Sequence, residues 1–430
     1  MILVSKTYWG GMPFWFRAAP EHARVESLVL TAHDRRQLRG LYWVSEKVAK
    51  PSVGVVVMHP RVDFTHHYSV PRLVAAGFAV LAANTRHVHS DLFGVHEEMV
   101  LDVDACVRHL RDKRGVERVV LLGNCGGGPL AGFYQAQANT PPASRLARSP
   151  AGDPTHFDGA TMKPADLVVL VAAHRGQGKI LMDAIDPAVV DESDPLATDP
   201  ALDMYDPRNG FAEPPAPSVY SKEFLAKYRA AQEARVRRLD EVARAHVARQ
   251  ADAVRESDAP GFDTRTFSER QAVLRKRAHD GLLVVHRTMA NPSFVDPSLE
   301  ANVAGPARDY GSLLSERPDL MNLTSLGLAR TVTPRAWLST WSGISSNSDL
   351  VVNAAKITQP TLVVHAGRDR EVFLERDVRP IHDACGASDK RLAIVAGARH
   401  YFEPELGERR SPHVDELMDI VVPWIEERAS

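Results

Sequence analysis

Arg118-Val119-Val120-Leu121-Leu122-Gly123-Asn124-Cys125-Gly126-Gly127-Gly128-Pro129-Leu130 decides the architecture of this chain. An apolar run of valine and leucine gives way, through a turn crowded with glycine, to a segment from Leu130 to Ala138 that reads as a helix. The same rhythm surrounds it. Val53-Gly54-Val55-Val56-Val57-Met58, Phe78-Ala79-Val80-Leu81-Ala82 and Leu167-Val168-Val169-Leu170-Val171 are further short apolar runs, separated by stretches long enough for helices. One of these, Glu97 to Lys113, carries Val100, Val103, Val107 and Leu110 at helical spacing. Continuous apolar strands alternating with helices predict an α/β protein whose mostly parallel sheet is covered on both faces.

Outward from this centre, Val25 to Leu30 and Leu38 to Trp43 read as an antiparallel hairpin turning at Asp34-Arg35-Arg36. The parallel rhythm stops near Arg175 and resumes at Thr361 to His365, followed by a helix near Leu374 to Ala384, a strand Arg391 to Val395 and a last helix over Val414 to Ile425. The chain therefore divides into a sheet core in two parts, 1–174 and 357–430, around an insertion of 175–356. In the insertion, Ser221 to Asp258 is charged and helical, with Val236, Leu239, Val242, Ala243 and Val247 on one stripe. A cap helix lying on the sheet core fits this stripe better than a coiled-coil surface. Pro187 to Pro217 and Asn291 to Pro318 read as loops around a pocket or hinge, and Pro141 to Pro154 as a second surface excursion. No internal repeat is present.

Composition narrows the function. A chain of 430 residues with 44% hydrophobic and 25% charged residues has the makings of a packed core. Lys+Arg of 52 against Asp+Glu of 54 leaves no field to hold nucleic acid or an anionic membrane surface. Three cysteines without CxxC spacing suit a reducing compartment better than a disulfide framework. Met1 to Phe16 is interrupted by Lys6, Gly10, Gly11 and Pro13, so it does not read as a signal peptide. No run approaches the ~20 apolar residues of a membrane helix. A cytoplasmic protein acting on a small molecule is expected, without cofactor, and a homo-oligomer is left open. His87-x-His89 with His66, His67 and Asp63 has metal-binding residue types, but in two separate loops, and no metal is expected there.

The turn Gly123-Asn124-Cys125-Gly126-Gly127 matches the nucleophile elbow G-x-Nuc-x-G, with Cys where Ser is usual. Small neighbours suit the strained backbone of such a bend. A thiol there stands at a helix N-terminus, where free N–H groups favour the thiolate. The rival reading, a dinucleotide turn, needs G-x-G-x-x-G in the first βαβ unit, and glycines at 123, 126, 127 and 128 do not match it. After the insertion, one strand ends in Ala366-Gly367-Arg368-Asp369 and the next in Ala396-Gly397-Ala398-Arg399-His400-Tyr401-Phe402. The order is then nucleophile, acid, histidine: Asp369 to hold the ring of His400, and His400 to take the proton of Cys125.

With the turns GNCGG, HAGRD and GARHYF, the chain resembles an α/β-hydrolase over Val25 to Val171 and Gln359 to Glu427, while the insertion matches nothing known. The Cys in the elbow is similar to that of the dienelactone hydrolases, whose triad is Cys, Asp and His, though those enzymes are shorter and lack so large a cap. The resemblance implies an oxyanion hole from the N–H of Gly126 and one N–H of the loop His59-Pro60-Arg61-Val62-Asp63-Phe64. Pro60 has no N–H, so Arg61, or alternatively Val62, is the expected second donor. His59, Arg61, Arg86, His87, His89, His174 and Arg175 sit at or just beyond strand C-termini, where open sheets bind ligands. Of these His59, Arg86, His174 and Arg175 are expected to contact substrate, an arginine gripping a carboxylate. Cys106 and Cys385 read as buried hydrophobes, and Trp337 and Trp341 as core residues in preference to pocket walls.

The chemistry expected of a thiolate here is acyl transfer to water through a thioester, on a lactone, activated ester or thioester of a mid-sized organic molecule. A C–C bond hydrolase, an acyltransferase and a non-catalytic ligand-binding protein are the alternatives the same residues leave open.

Overall fold

The computed structural model describes residues 19–300, 308–405, 408 and 411–429. The reading of Met1 to Phe16 lies outside the described residues. In chain order the strands are β1 (Ala23–Thr31), β2 (Gln37–Ser45), β3 (Val53–His59), β4 (Ala79–Asn84), β5 (Arg118–Asn124), β6 (Leu167–Val171), the two-residue β7 (Leu283–Val284) and β8 (Thr331–Val332), β9 (Thr361–Ala366) and β10 (Lys390–Val395). All but β7 and β8, which pair with each other, form one sheet in the order β1-β2-β4-β3-β5-β6-β9-β10. β1 with β2 and β2 with β4 are antiparallel, and every later pairing is parallel.

β3, β4, β5, β6 and β9 form where the apolar runs predict them because each is buried on both sides, while β1, β2 and β10, toward the sheet edges, keep exposed positions. In β3, Val55 and Val57 face one core, with Val80, Val120 and Val169 of its neighbours, while Val56 and Met58 face the other, with Leu81 and Leu121. Helix α1 (Val70–Ala75) and the C-terminal helix Pro412–Ala429 cover the first face. Helices α2 (His96–Arg108) and α3 (Gly127–Asn139) cover the second. α2 is extended by a wider turn, His109–Lys113, that carries the predicted helix to its expected end.

From β3 the chain steps to β4 on one side, then crosses back over β3 to β5 on the other. Between the carboxyl ends of β3 and β5 the winding reverses, which opens a crevice where such sheets bind ligands.

Residues after Val171 leave the sheet and return at Thr361 of β9, the hydrogen-bonded neighbour of β6. The excursion is closed at its base. The Leu350 N–H donates to the Arg175 carbonyl at 2.6 Å, and Gly176 packs against the Ser348 carbonyl so closely that a Cβ would overlap it. Above this neck lie α4 (Gln177–Ala184), the 36-residue α5 (Lys222–Ser257) and α6 (Phe267–Ala278). α5 begins where its sequence says it should, with the Ser221 side chain accepting from Phe224 N–H at 3.1 Å. Val236, Leu239 and Ala243 are buried against Leu181, Ile185, Trp337 and Trp341. Val242, expected on the same stripe, is 46% exposed, because the strip that α4 and the tryptophans cover follows i, i+3, i+7 and passes it by. No helix among the described residues is long and apolar enough to cross a membrane.

Candidate active site

β5 ends at Asn124, and Cys125 takes φ +54°, a left-handed conformation that L-residues adopt only when the surroundings impose it. The surroundings do so. Asn124 Nδ2 and Cys125 N both donate to the Val171 carbonyl, at 2.9 and 3.1 Å, tying the bend to β6. α3 begins at Gly127, so tightly against β3 that a Cβ there would overlap the Met58 carbonyl oxygen. The sulfur thus stands above the first turn of α3 at the mouth of the crevice, with the N–H of Gly126 beneath it taking no acceptor among the described residues.

Asp369 and His400, from the turns after β9 and β10, converge on the same place. His400 Nδ1 donates to Asp369 Oδ2 at 2.7 Å. The other oxygen, Oδ1, accepts from Glu371 N–H at 2.8 Å and Val372 N–H at 3.1 Å, so the carboxylate is held on two sides. With Nδ1 committed, Nε2 is the nitrogen His400 turns to Cys125. Among the described residues it has no other partner in ordinary hydrogen-bond geometry.

The electrostatics follow from this packing. Burial by itself pushes the Cys125 thiol up, but the charge on His400 and hydrogen bonds from His174, His400 and His59 override it and hold the thiol well below its usual range. For His400, burial pulls the imidazolium down, and the charges of Asp369 and Cys125 lift it well above the ordinary histidine value. Both directions favour the thiolate–imidazolium form of the pair. Cys106, buried among apolar side chains, shows the opposite: burial pushes its thiol up, as expected of a small hydrophobe. Cys385 is likewise buried in the core.

The sulfur opens onto a cavity with about 70 Å³ of space for the centres of water-sized atoms. His59, Arg61, His174, Gln177, Glu371 and Tyr401 supply its polar wall. Ile180, Met289, Leu313, Leu314, Leu328 and Trp341 supply the apolar one, most of it from the insertion. Trp341, expected to be plain core, is therefore a wall of the cavity, whereas Trp337 is core and donates Nε1–H to Asp240 at 2.8 Å. Burial lifts the Glu371 carboxyl to about 7, against a hydrogen bond from Leu313 N–H and the charge of His400.

Of the expected substrate contacts, His59 and His174 line the cavity. Arg86 and Arg175 do not. Arg86 is spent on carboxylates: Nε and Nη2 bond Asp102 Oδ1 at 2.9 and 2.7 Å, and Nη1 pairs with Asp34. Arg175 turns its guanidinium toward Asp349 at the neck, 4.0 Å away. The expectation that Arg61 N–H serves as second oxyanion donor also fails. Arg61 N–H and Val62 N–H both donate to His59 Nδ1, at 3.1 and 2.9 Å, so the imidazole of His59 caps the loop's amides and takes them out of the cavity. The Arg61 side chain lies over the Trp341 ring at 4.8 Å and reaches Asp91 at 3.3 Å. The histidines drawn into the discarded metal reading are loop residues: His67 bonds Ser69 and Asn124, and His87 pairs with Glu98.

Reasoning from sequence missed Gln177, Glu371 and Tyr401. Glu371 and Tyr401 had a signal, as each lies within two residues of an assigned group, in the turns after β9 and β10. Gln177 opens α4 just past the neck, and no motif marks it.

The strand order, the parallel core and the elbow at β5 make this the α/β-hydrolase fold. No family model matches the chain, and no curated protein matches it. Among solved structures it is similar to the alpha/beta hydrolase GrgF from Penicillium sp. sh18, at 12% identity and TM-score 0.49, over 94% of this chain and 99% of that one. Est1E from Butyrivibrio proteoclasticus aligns at 10% identity and TM-score 0.44, over 94% and 98%. Brefeldin A esterase, a bacterial homologue of human hormone sensitive lipase, aligns at 13% and 0.43, over 97% and 81%. Likenesses this distant carry neither a nucleophile nor a substrate to this chain.

Proposed function

We propose that the protein is a hydrolase working through a covalent thioester on Cys125, with His400 as proton carrier and Asp369 as its orienting carboxylate. The observation that carries this reading is the convergence of three distant turns on one cavity, with His400 bonded to Asp369 on one nitrogen and facing a left-handed cysteine with the other. The sulfur attacks an acyl carbon and the C–S bond forms; the bond from that carbon to the leaving oxygen, or sulfur in a thioester, then breaks, and His400 gives its proton to the departing atom. Water, deprotonated by the now neutral His400, then cleaves the thioester and releases the acid.

Thiolates leave more readily than alkoxides, so attack on an unactivated amide tends to reverse. Lactones, activated esters and thioesters of a mid-sized organic molecule are the substrates this chemistry suits. A wall of Leu, Ile, Met and Trp accommodates an apolar acyl group.

Intact-mass spectrometry after exposure to a panel of lactones, activated esters and thioesters tests the proposal. A mass increase equal to the acyl group, localised to Cys125 and absent in Cys125→Ala, is the expected result. Turnover without an adduct, retained in Cys125→Ala, would overturn it.

A further inference from the structure

We propose that His59 supplies the second oxyanion donor, through its Nε2–H, in place of the backbone amide that Pro60 and the capped Arg61 do not offer. This rests on the acyl-transfer reading given above.

The proton count on the ring comes from its other nitrogen. Nδ1 of His59 accepts two backbone N–H groups, from Arg61 and Val62, so it bears no hydrogen and the neutral ring carries its proton on Nε2. A second proton has nowhere to go, since at Nδ1 it would meet two N–H groups head-on. Burial, the largest influence on this ring, also pulls its imidazolium below the ordinary range. His59 is thereby a fixed neutral donor. His400 is its opposite, with Nδ1–H given to a carboxylate and Nε2 free to exchange a proton.

The donor points at the right place. Nε2 of His59 is buried, lines the cavity, and has no partner in ordinary hydrogen-bond geometry. A Cβ built on Gly126 would stand 2.9 Å from it and would overlap Gln177 Nε2. Two side-chain N–H donors therefore meet beside the residue whose own N–H takes no acceptor among the described residues. A bulkier residue at 126 would fill that space, which gives glycine there a reason beyond the bend. The ring cannot swing away, being tied at Nδ1 and packed against Phe64 at 4.9 Å between centroids.

In the resting state the charge of the Cys125 sulfur acts on His59 across the cavity. When the C–S bond forms, the π pair of the carbonyl moves onto oxygen and negative charge leaves the sulfur for that oxygen. His59 then exchanges a weakening acceptor for a strengthening one without moving a proton, which is the differential stabilisation catalysis needs.

The test exploits two reactions of one thiolate. Acylation by p-nitrophenyl acetate passes through an oxyanion; alkylation by iodoacetamide does not. His59→Asn keeps an acceptor near the Nδ1 position for the loop amides and deletes the Nε2 donor, while His59→Gln returns an N–H donor near Nε2. The expected result is a fall of about 100- to 1000-fold in acylation rate for His59→Asn, alkylation within about threefold of wild type, and partial recovery of acylation in His59→Gln. Equal losses in both reactions, including losses from misfolding in both variants, would mean that His59 only supports the thiolate or the loop, and would overturn the inference. Unimpaired acylation in His59→Asn would overturn it while leaving the thioester reading intact. A wild-type chain that alkylates but never acylates would sink the thioester reading itself.

Discussion

The end of β3 and the turn that follows β10 each bring one imidazole to the same sulfur, and the two rings are wired in reverse. After β10, His400 gives Nδ1–H to the Asp369 carboxylate and keeps a reactive nitrogen for Cys125. At the end of β3, His59 receives two backbone N–H bonds at Nδ1, which leaves its proton on Nε2. In the proposed reading, the partner on the far nitrogen is what separates a base from a donor. That partner also sets the charge, lifting the imidazolium of His400 while nothing on the Nδ1 side of His59 offsets the burial that lowers it.

The most drastic way to break the contrast is to remove the atom both rings face. Cys125→Ala is expected to lower ester turnover by about 10⁶-fold, leaving only what binding and oriented donors supply; a continuous assay with an activated ester measures it. Next in size is Asp369→Asn, which removes the charge that gives His400 its wiring. Turnover falls by about 10⁴-fold, and a smaller drop than that of an ordinary surface carboxylate change would count against the assignment.

The pH response sharpens the same contrast. Because the charge on His400 and the hydrogen bonds from His174, His400 and His59 hold the Cys125 thiol down, alkylation by iodoacetamide is expected to stay fast well below the usual thiol range and to fall only in acid. In His400→Ala the counter-charge is gone and burial pushes the thiol up, so the midpoint of the alkylation profile moves to higher pH. A midpoint unchanged by His400→Ala would show that the donors His59 and His174 suffice alone.

The smallest effect concerns stability. The folded-state value of Glu371, about 7, lies above that of an exposed glutamate, so its protonated form stabilises the fold in acid and that contribution is lost as pH rises through 7. Glu371→Gln, which does not ionise, should lose less stability than wild type between about pH 5 and 8, by on the order of 3 kcal/mol at most. Urea unfolding at the two pH values measures the difference.

The strand runs, the elbow and both partner turns were legible because they follow from local apolar patterning and from small residues at forced bends. Arg86 was not, since its partners Asp34 and Asp102 lie on other elements and only the fold unites them. Arg61 misled for a related reason: counting amides after Pro60 identifies which N–H groups exist, while the ring of His59 decides where they point. Val242 failed because a stripe on a helix wheel says nothing of how wide a strip the neighbours cover. Gln177 opens a helix whose position over Gly126 is set by the neck, a contact between Arg175 and Leu350 that no periodicity encodes.

That neck has a consequence for how such a chain can change. Entry and exit touch, and the short helix Leu350–Ala354 with β9 belongs to the crossover; the excursion between the two points also leans on the core, where Thr333 N–H donates to the Leu92 carbonyl and the Ser339 hydroxyl donates to Glu97. Loops of the excursion away from those contacts are where a change of length would leave the pairing of β6 with β9 untouched. Cys125 and its two oppositely wired rings belong to the sheet core, while most of the apolar wall they face belongs to the excursion.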